Sequence, residues 1–179
     1  MRQNICKIGL VLCAIKMVMS YSTRNTYSNL QQDVPDNINM KPFVKVGTKY
    51  YHLGDTKVTW HNAYSICRSL GGFLASLETS QEATQLSDYL NSKYSTNKIF
   101  WLSASDQDVE GQWYWYNTGE VIIYANWDAG QPDNYKGNEN CAQLLKNGGK
   151  YKMNDVHCGL RQYYICETDE PKLASVGIY

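Results

Sequence analysis

The feature that most restricts how this chain can fold is a set of four cysteines, Cys67, Cys141, Cys158 and Cys166, which remain when Cys6 and Cys13 of the first 22 residues are set aside. They are an even number and follow an N-terminal segment typical of exported proteins, so we expect them to be oxidised into two disulfides. Their spacing alone does not decide which cysteines pair. No CxxC pair occurs and the three histidines are scattered along the sequence, so a zinc site is not expected.

The first 22 residues have the composition of a secretory signal peptide. Arg2 and Lys7 precede an apolar run from Ile8 to Met19, and small serine residues follow where a signal peptidase could cut. The run is shorter than the roughly 20 residues of a membrane-spanning helix. We therefore predict a signal peptide over residues 1–22 and a secreted, extracellular protein with no membrane span after cleavage. An amphipathic first helix is the alternative interpretation.

The remaining sequence is predicted to form one folded domain between two flexible ends. Residues 23–42 are polar and contain two prolines, which indicates a flexible lead-in. The folded domain is predicted over residues 43–167, and residues 168–179 form a C-terminal tail. The formal net charge of 0 over 179 residues gives no basis for a nucleic-acid partner. The 15 tyrosines suit a strand-rich secreted domain.

The residue pattern predicts two helices followed by several short strands. In VTWHNAYSICRSLGG, the side chains of Trp60, Ala63 and Cys67 share one helical face, with Thr59 at the N-cap position and a glycine pair at the end. TSQE at 79–82 is a capping box that begins a second helix. Short aromatic and aliphatic runs, from IFWLSA to YYICE, follow between turn signals. Two helices ahead of a run of strands indicate an α+β domain.

Residues 129–140, AGQPDNYKGNEN, are crowded with side-chain oxygens. Six side chains end in a carboxylate or a carboxamide and no aliphatic side chain is larger than alanine, which excludes a buried strand or an amphipathic helix. One interpretation is a solvated turn, since Asn, Asp and Gly are common in turns. The other is a site for a hard cation such as Ca²⁺, which takes about six to eight oxygen ligands.

The order of the motifs along the chain favours the second interpretation. A helix with a cysteine is followed by GGFLASL, a second helix, FWLSASD, EGQWYW, NWDAGQPDN, ENCAQL, MNDVHC and YYICE. This order, over about residues 43–167, resembles the C-type lectin domain in its short form. The resemblance implies an α+β fold with two helices, antiparallel sheets and a long calcium-binding loop. It also implies the disulfides Cys67–Cys166 and Cys141–Cys158.

The resemblance further implies a Ca²⁺ cofactor and a set of side chains that hold it. The implied metal ligands are Gln131, Asp133, Glu139, Asn154 and Asp155. In sugar-binding members the same side chains also contact the sugar hydroxyls. Pro132 is expected to follow a cis peptide bond, as in the family.

The form of the proline motif and the next aromatic residue indicate the type of sugar. Members with Glu-Pro-Asn favour mannose-like sugars and members with Gln-Pro-Asp favour galactose-like ones. Here Gln131 and Asp133 reverse the donor and acceptor pattern that faces two hydroxyls, relative to Glu-Pro-Asn. Tyr135 is expected to pack on the apolar face of the sugar; a surface tyrosine without a role is the alternative. The implied partners are galactose or N-acetylgalactosamine glycans on glycoproteins or cell surfaces, and the sequence leaves an oligomer open.

Other residues match an auxiliary calcium site or core positions of the family. Asp106, Glu110 and Asn134 correspond, with Glu139, to an auxiliary calcium site of some relatives. Trp101 and Leu102 are expected in the core, as is Met153, which stands where the family usually has a tryptophan.

Two other classes of function are alternatives for this chain. A lectin-like domain that binds a protein ligand independently of calcium is the first alternative, although such domains usually lose part of the ligand set. A secreted hydrolase is the second. The sequence contains no G-x-S-x-G, HExxH or catalytic Cys/His motif, so an enzyme is not expected.

Overall fold

The two predicted helices and the predicted run of strands form in the expected order. A computed structural model describes residues 40–169; the predicted signal peptide at 1–22, most of the lead-in and most of the tail lie outside the described residues. Within this range the elements are β1 (Val44–Val46), β2 (Lys49–Leu53), α1 (Trp60–Ser69), β3 (Phe73–Leu74), α2 (Ser80–Lys93), β4 (Phe100–Ser105), β5 (Tyr114–Trp115), β6 (Glu120–Val121), β7 (Cys141–Asn147), β8 (Lys150–Val156) and β9 (Tyr163–Thr168).

Helix α1 buries the face that the sequence predicted. Trp60, Ala63 and Cys67 are buried, and the indole N–H of Trp60 donates to the carbonyl of Leu102 at 2.7 Å. Thr59 occupies the N-cap position, but its side chain makes no capping hydrogen bond, so the cap is positional only.

Helix α2 begins at the predicted capping box. The N–H of Glu82 donates to the Thr79 hydroxyl at 3.2 Å, and the N–H of Thr79 donates to the Glu82 carboxylate at 3.2 Å. Two of the first unpaired N–H groups of the helix region are thereby satisfied. Ala83, Leu86 and Leu90 lie on the buried face of the helix, as predicted.

The strands form a mixed sheet in which the N-terminal strands pair with the C-terminal strand. The hydrogen-bonded order is β1-β2-β9-β4-β5-β6; β3 pairs with β9, and β7 pairs with both β4 and β8. The expectation of antiparallel sheets needs one amendment, because β4 and β9 run parallel, with Phe100 opposite Tyr163. The hairpin of β7 and β8 is in register from Cys141–Val156 to Asn147–Lys150. It carries the C-terminal part of the oxygen-rich loop at its open end.

The core contains the side chains that the sequence assigned to it. Trp101, Leu102 and Met153 have no exposed surface. Met153 contributes to the cluster beneath helix α2, so a flexible thioether fills this position.

Both predicted disulfides are present. Cys67–Cys166 ties helix α1 to strand β9, and Cys141–Cys158 ties the start of β7 to the residues after β8. The second disulfide therefore closes the base of the hairpin beside the oxygen-rich loop.

A partly buried ion-pair network, which we call the Lys49 network, lies apart from that loop. The Lys49 ammonium lies 3.3 Å from Glu167, 3.3 Å from Glu82 and 3.6 Å from Glu78. Glu167 is 6% exposed and also accepts from the Ser76 hydroxyl at 2.6 Å. Burial raises the pKa of the Glu167 carboxyl to about 7, although the Lys49 charge and the Ser76 hydrogen bond act to lower it.

Candidate functional site

The residues just before the oxygen-rich loop attach it to strand β8. The N–H of Asp128 donates to the Met153 carbonyl at 2.8 Å, and the N–H of Met153 donates to the Asn126 carbonyl at 2.8 Å. Trp127 packs edge-on against Trp113, with ring centroids 4.8 Å apart. The loop thus starts immediately beside Asn154 and Asp155, which follow Met153 on β8.

Three carboxylates predicted to be ligands converge at this place. One oxygen from each of Asp133, Glu139 and Asp155 lies within 4.8 Å of the others. Asp155 is fully buried, Glu139 is partly buried and Asp133 is exposed, so the cluster opens to solvent on one side. In the part of the chain that the structure describes, this is the cluster of three or more acidic, histidine or cysteine side chains that could hold a metal ion.

Hydrogen bonds to the backbone fix the carboxylates in this arrangement. Asp155 accepts from the N–H of Asp133 at 3.1 Å and from the N–H of Asn134 at 2.7 Å. Glu139 accepts from the N–H of Tyr135 at 3.0 Å. The Asn134 side chain closes the loop, because its oxygen accepts from the N–H of Glu139 at 3.1 Å.

The electrostatics of the cluster favour a cation. Burial raises the pKa of the Glu139 carboxyl, the Tyr135 N–H lowers it, and the negative charges of Asp155 and Asp133 raise it. Like charges held this close disfavour one another's ionisation. A bound cation would relieve that repulsion.

The two predicted amide ligands are near the carboxylates along the chain, with Gln131 two residues before Asp133 and Asn154 directly before Asp155. The Gln131 side-chain oxygen is buried and has no hydrogen-bond donor among residues 40–169. The Asn154 amide nitrogen donates to the backbone carbonyl of Asp155 at 2.6 Å. The Gln131–Pro132 peptide bond is cis, as the resemblance implied.

Tyr135 lies at the exposed edge of the loop, in a short 3₁₀ turn over Tyr135–Gly137. Its side chain is 62% exposed, and the Lys136 ammonium lies 5.1 Å from the centre of the ring. Asn134 and Lys136 both adopt positive φ, at 43° and 61°. Such values are uncommon for residues other than glycine and give this part of the loop its sharp bend.

The residues of the predicted auxiliary site are only partly brought together. Asp106 is buried and accepts from the N–H of Gly111 at 2.8 Å, while its other oxygen has no donor among the described residues. Burial raises the pKa of the Asp106 carboxyl, and the charge of Glu110 adds to this rise. Glu110 is exposed, and the oxygen of Asn134 is already used within the loop.

Sequence reasoning did not find two structural contributors to the site. The first is the Asn134 side chain, which accepts the hydrogen bond from the Glu139 N–H that closes the loop. The sequence signal that could have indicated it is the preference of asparagine for left-handed backbone. The second is the pairing of residues 126–128 with β8, for which the sequence carries no local signal because the two segments lie about 25 residues apart.

Comparison with known proteins matches this architecture. The Lectin C-type domain profile matches residues 56–168. The chain belongs to the C-type lectin domain family. C-type lectin 37Db of Drosophila melanogaster is 35% identical to it over 126 residues, which cover 70% of this chain and 81% of that protein. C-type lectin 37Da of the same organism is 29% identical over 188 residues, covering all of both chains.

A solved structure agrees with the sequence comparison. The mouse scavenger receptor C-type lectin carbohydrate-recognition domain superposes with a TM-score of 0.63 and 25% identity, over 73% of this C-type lectin chain and 98% of that one. Members of the family generally bind carbohydrate, generally use Ca²⁺, and are not enzymes. Residues 40–169 contain no helix that is long and apolar enough to cross a membrane.

Proposed function

We propose that this C-type lectin binds galactose-type glycans through a Ca²⁺ ion held by Gln131, Asp133, Glu139, Asn154 and Asp155. The observation that carries the proposal is the convergence of three carboxylates within 4.8 Å, together with the Gln131 amide oxygen of the same loop, which is buried and has no donor among the described residues. Such an oxygen costs free energy unless it has a partner. A cation at the cluster supplies that partner and balances the carboxylate charges.

The donor set fits Ca²⁺ better than a transition metal. All five side chains offer oxygen, with three carboxylates and two amides, whereas zinc and copper sites usually contain nitrogen or sulfur. When bound, the ion would offer open coordination positions to vicinal hydroxyls of a sugar.

The chain's own residues determine which hydroxyls fit. The amide of Gln131 can donate and the carboxylate of Asp133 can accept, which sets the direction of hydrogen bonds to the two hydroxyls. Tyr135 is exposed at the edge of the same loop, where its ring is available to the apolar face of a galactose-type sugar. Glu139 and Asn154 complete the pattern, as one acceptor and one potential donor.

An occupied auxiliary site is a further part of the proposal. Asp106, Glu110 and Asn134 would hold a second Ca²⁺ together with Glu139. The Asp106 oxygen without a donor supports it. Occupation would require the Asn134 oxygen to coordinate the ion in addition to, or in exchange for, its bond to the Glu139 N–H.

The cellular context follows from the same reasoning. Two disulfides and the signal-like residues 1–22 support secretion, with residues 23–42 as a lead-in, 43–167 as the lectin domain and 168–179 as a tail. The partners are galactose-type glycans on glycoproteins or cell surfaces. A single shallow site binds a monosaccharide weakly, so useful affinity would come from several sites engaging together, in innate defence or adhesion.

Chromatography on immobilised galactose tests the proposal. The protein should be retained in calcium buffer, released by a chelator, and displaced by free galactose more effectively than by free mannose. The double variant Gln131→Glu with Asp133→Asn should move the preference toward mannose. Retention in the presence of chelator would contradict the proposal and favour a calcium-independent protein ligand. Stronger displacement by mannose would contradict the sugar alone.

Matched variants separate the ligand set from general surface charge. Glu139→Gln removes one carboxylate of the cluster and should abolish retention. Asp88→Asn removes an exposed carboxylate of helix α2 outside the cluster and should leave retention unchanged. Equal loss in both variants would show that the cluster has no special role.

A further inference from the structure

The end of the domain opposite the oxygen-rich loop carries a group of cationic side chains. Strand β4 runs from this cationic end toward the acidic end of the domain, because Lys98 lies just before its first residue and Asp106 directly after its last. At about 3.3 Å per residue, the two positions are roughly 25 Å apart. Strands β7 and β8 repeat the pattern, with Lys146 and Lys150 at one end of the hairpin and Asp155 toward the other.

Four of these cations lie next to one another, and we call them the basic end: Lys57, Lys98, Lys146 and Arg161. The ammonium groups of Lys57 and Lys98 lie 5.3 Å and 4.4 Å from the centre of the same Tyr163 ring. The guanidinium N–H of Arg161 donates to the Lys57 carbonyl at 3.3 Å.

Hydrogen bonds bring Lys146 to the same place. Its backbone N–H donates to the Asn97 side chain at 3.0 Å, and that side chain donates back to the Lys146 carbonyl at 3.3 Å. Lys98 is the next residue after Asn97. The last residue of helix α2, Lys93, and the turn residue Lys150 extend the group, since Asn91 donates to the Gly149 carbonyl at 2.9 Å.

The positive charge of the basic end is not neutralised by neighbouring acids. Among the described residues, no carboxylate oxygen lies within 4.0 Å of a side-chain nitrogen of these four residues, so none of them forms an ion pair there. Two carboxylates lie near this end: Asp55 acts on Tyr94, and Asp128 accepts from the side chain of Asn147, the residue after Lys146, at 2.7 Å. The four cations with these two carboxylates still retain a net positive charge, on a chain whose formal charge is 0.

The aromatic rings of this end hold the cations in place and do not form an apolar surface. Lys98 lies 4.2 Å from the centre of the Tyr94 ring in addition to its contact with Tyr163. Such cation–π contacts fix an otherwise flexible side chain. Both tyrosines are half-buried beneath the lysines, and Leu160, 45% exposed, is the large apolar side chain exposed beside Arg161. Binding in a membrane interface would require a broader apolar face.

We propose that the basic end binds a sulfated linear polysaccharide, independently of the calcium site. Cations spread over several element ends match a polymer with repeated negative charges better than a single small anion. The two disulfides place the chain in an oxidising compartment, where polyanions of this kind are encountered as glycans. One molecule could then hold a neutral sugar at the loop and an acidic glycan at the other end.

Binding of the full chain to heparin, a sulfated polysaccharide, tests the proposal. The buffer contains a chelator, so that the calcium site cannot contribute, and about 0.15 M NaCl, at which charges more than roughly 8 Å apart are largely screened. The wild type should bind heparin and should not bind its desulfated form. A basic residue beside an anionic surface strengthens binding about fivefold, so Lys98→Gln with Lys146→Gln should weaken it about 25-fold.

Two control variants make the result specific. Lys41→Gln with Lys45→Gln makes the same charge change near strand β1 and should weaken binding less than threefold. Lys98→Arg with Lys146→Arg preserves the charge and should bind as the wild type does, which separates lost charge from lost folding. Absence of wild-type binding, an equal loss in the two glutamine variants, or stronger binding to phosphatidylserine vesicles than to heparin would each overturn the proposal. None of these outcomes bears on the galactose site, which the chelator has disabled.

Discussion

Replacing Lys49 by methionine should destabilise the domain in a manner that depends on pH. The substitution keeps most of the apolar stem and removes the ammonium that lies 3.3 Å from both Glu167 and Glu82. Breaking a buried ion pair from one side costs about 3–5 kcal/mol, because a charge is left without its partner. We expect about 3 kcal/mol at pH 8.5, where the buried Glu167 is ionised in the wild type.

The pH dependence follows from the raised pKa of Glu167. This pKa is about 7 in the folded protein and 4.5 for an unperturbed glutamate. The folded state therefore binds more protons than the unfolded state between these values, and the contribution of Glu167 to stability falls as pH rises through that window. The Lys49 charge lowers the pKa of Glu167. Its removal should therefore raise this pKa and move the upper limit of the window above pH 7. At pH 5.5 Glu167 is mostly protonated in both proteins, so the cost should shrink to about 1 kcal/mol.

Urea unfolding with intact disulfides at pH 5.5, 7.0 and 8.5 measures the difference. Glu167→Gln supplies the control, because it removes the titrating group while keeping its shape. In that background, Lys49→Met should cost nearly the same free energy at all three pH values. A cost of Lys49→Met that does not rise with pH in the otherwise wild-type protein would refute the reasoning.

Three further predictions concern the loop, a helix end and a disulfide. Calcium should raise the thermal unfolding temperature of the wild type, and Glu139→Gln should remove most of that shift, since only binding to the folded state stabilises it. Thr79→Ala should lower the free energy of unfolding by about 1 kcal/mol through loss of the capping box, measured by urea unfolding. Replacing Cys141 and Cys158 by serine should cost about 3 kcal/mol, because the disulfide closes a short loop of the unfolded chain. A loss of unfolding free energy smaller than 1 kcal/mol would show that the hairpin of β7 and β8 is stable without the disulfide.

Local patterns along the sequence predicted much of the fold. The capping box at Thr79 and Glu82 is a local interaction over four residues, so its sequence signature is nearly sufficient. The buried face of α1 was equally visible, because helical spacing brings Trp60, Ala63 and Cys67 to one side. The disulfide pairing required the family resemblance, since spacing does not determine which cysteines meet.

Interactions between distant segments were harder to predict. The parallel pairing of β4 with β9 joins residues 63 positions apart at Phe100 and Tyr163, and neither strand carries a mark of its partner's direction. The Lys49 network has the same origin, because Lys49 and Glu167 are 118 residues apart and each is common on exposed surfaces. Strand β6 is only two residues long, and Ile123 is fully exposed just beyond it.

The candidate site falls between these two cases. Composition alone identified the loop as rich in oxygen ligands, and the resemblance assigned the individual residues. The convergence of the three carboxylates within 4.8 Å depends on backbone hydrogen bonds from Asp133 and Asn134 to Asp155, about 20 residues away along the chain. No periodicity in the sequence encodes such a contact.

The disulfide between Cys67 and Cys166 has a mechanical consequence. It links residues 99 positions apart, so everything between them, including the oxygen-rich loop and the second disulfide, belongs to one covalent ring. Tension applied to the chain on either side of the ring would pass directly from Cys67 to Cys166 through the sulfur bridge. Strands β1 and β2 could be pulled away from β9 by such a force, whereas the segment carrying Gln131 and Glu139 would bear none of it. A glycan held at the loop could therefore remain bound while the rest of the molecule is under load.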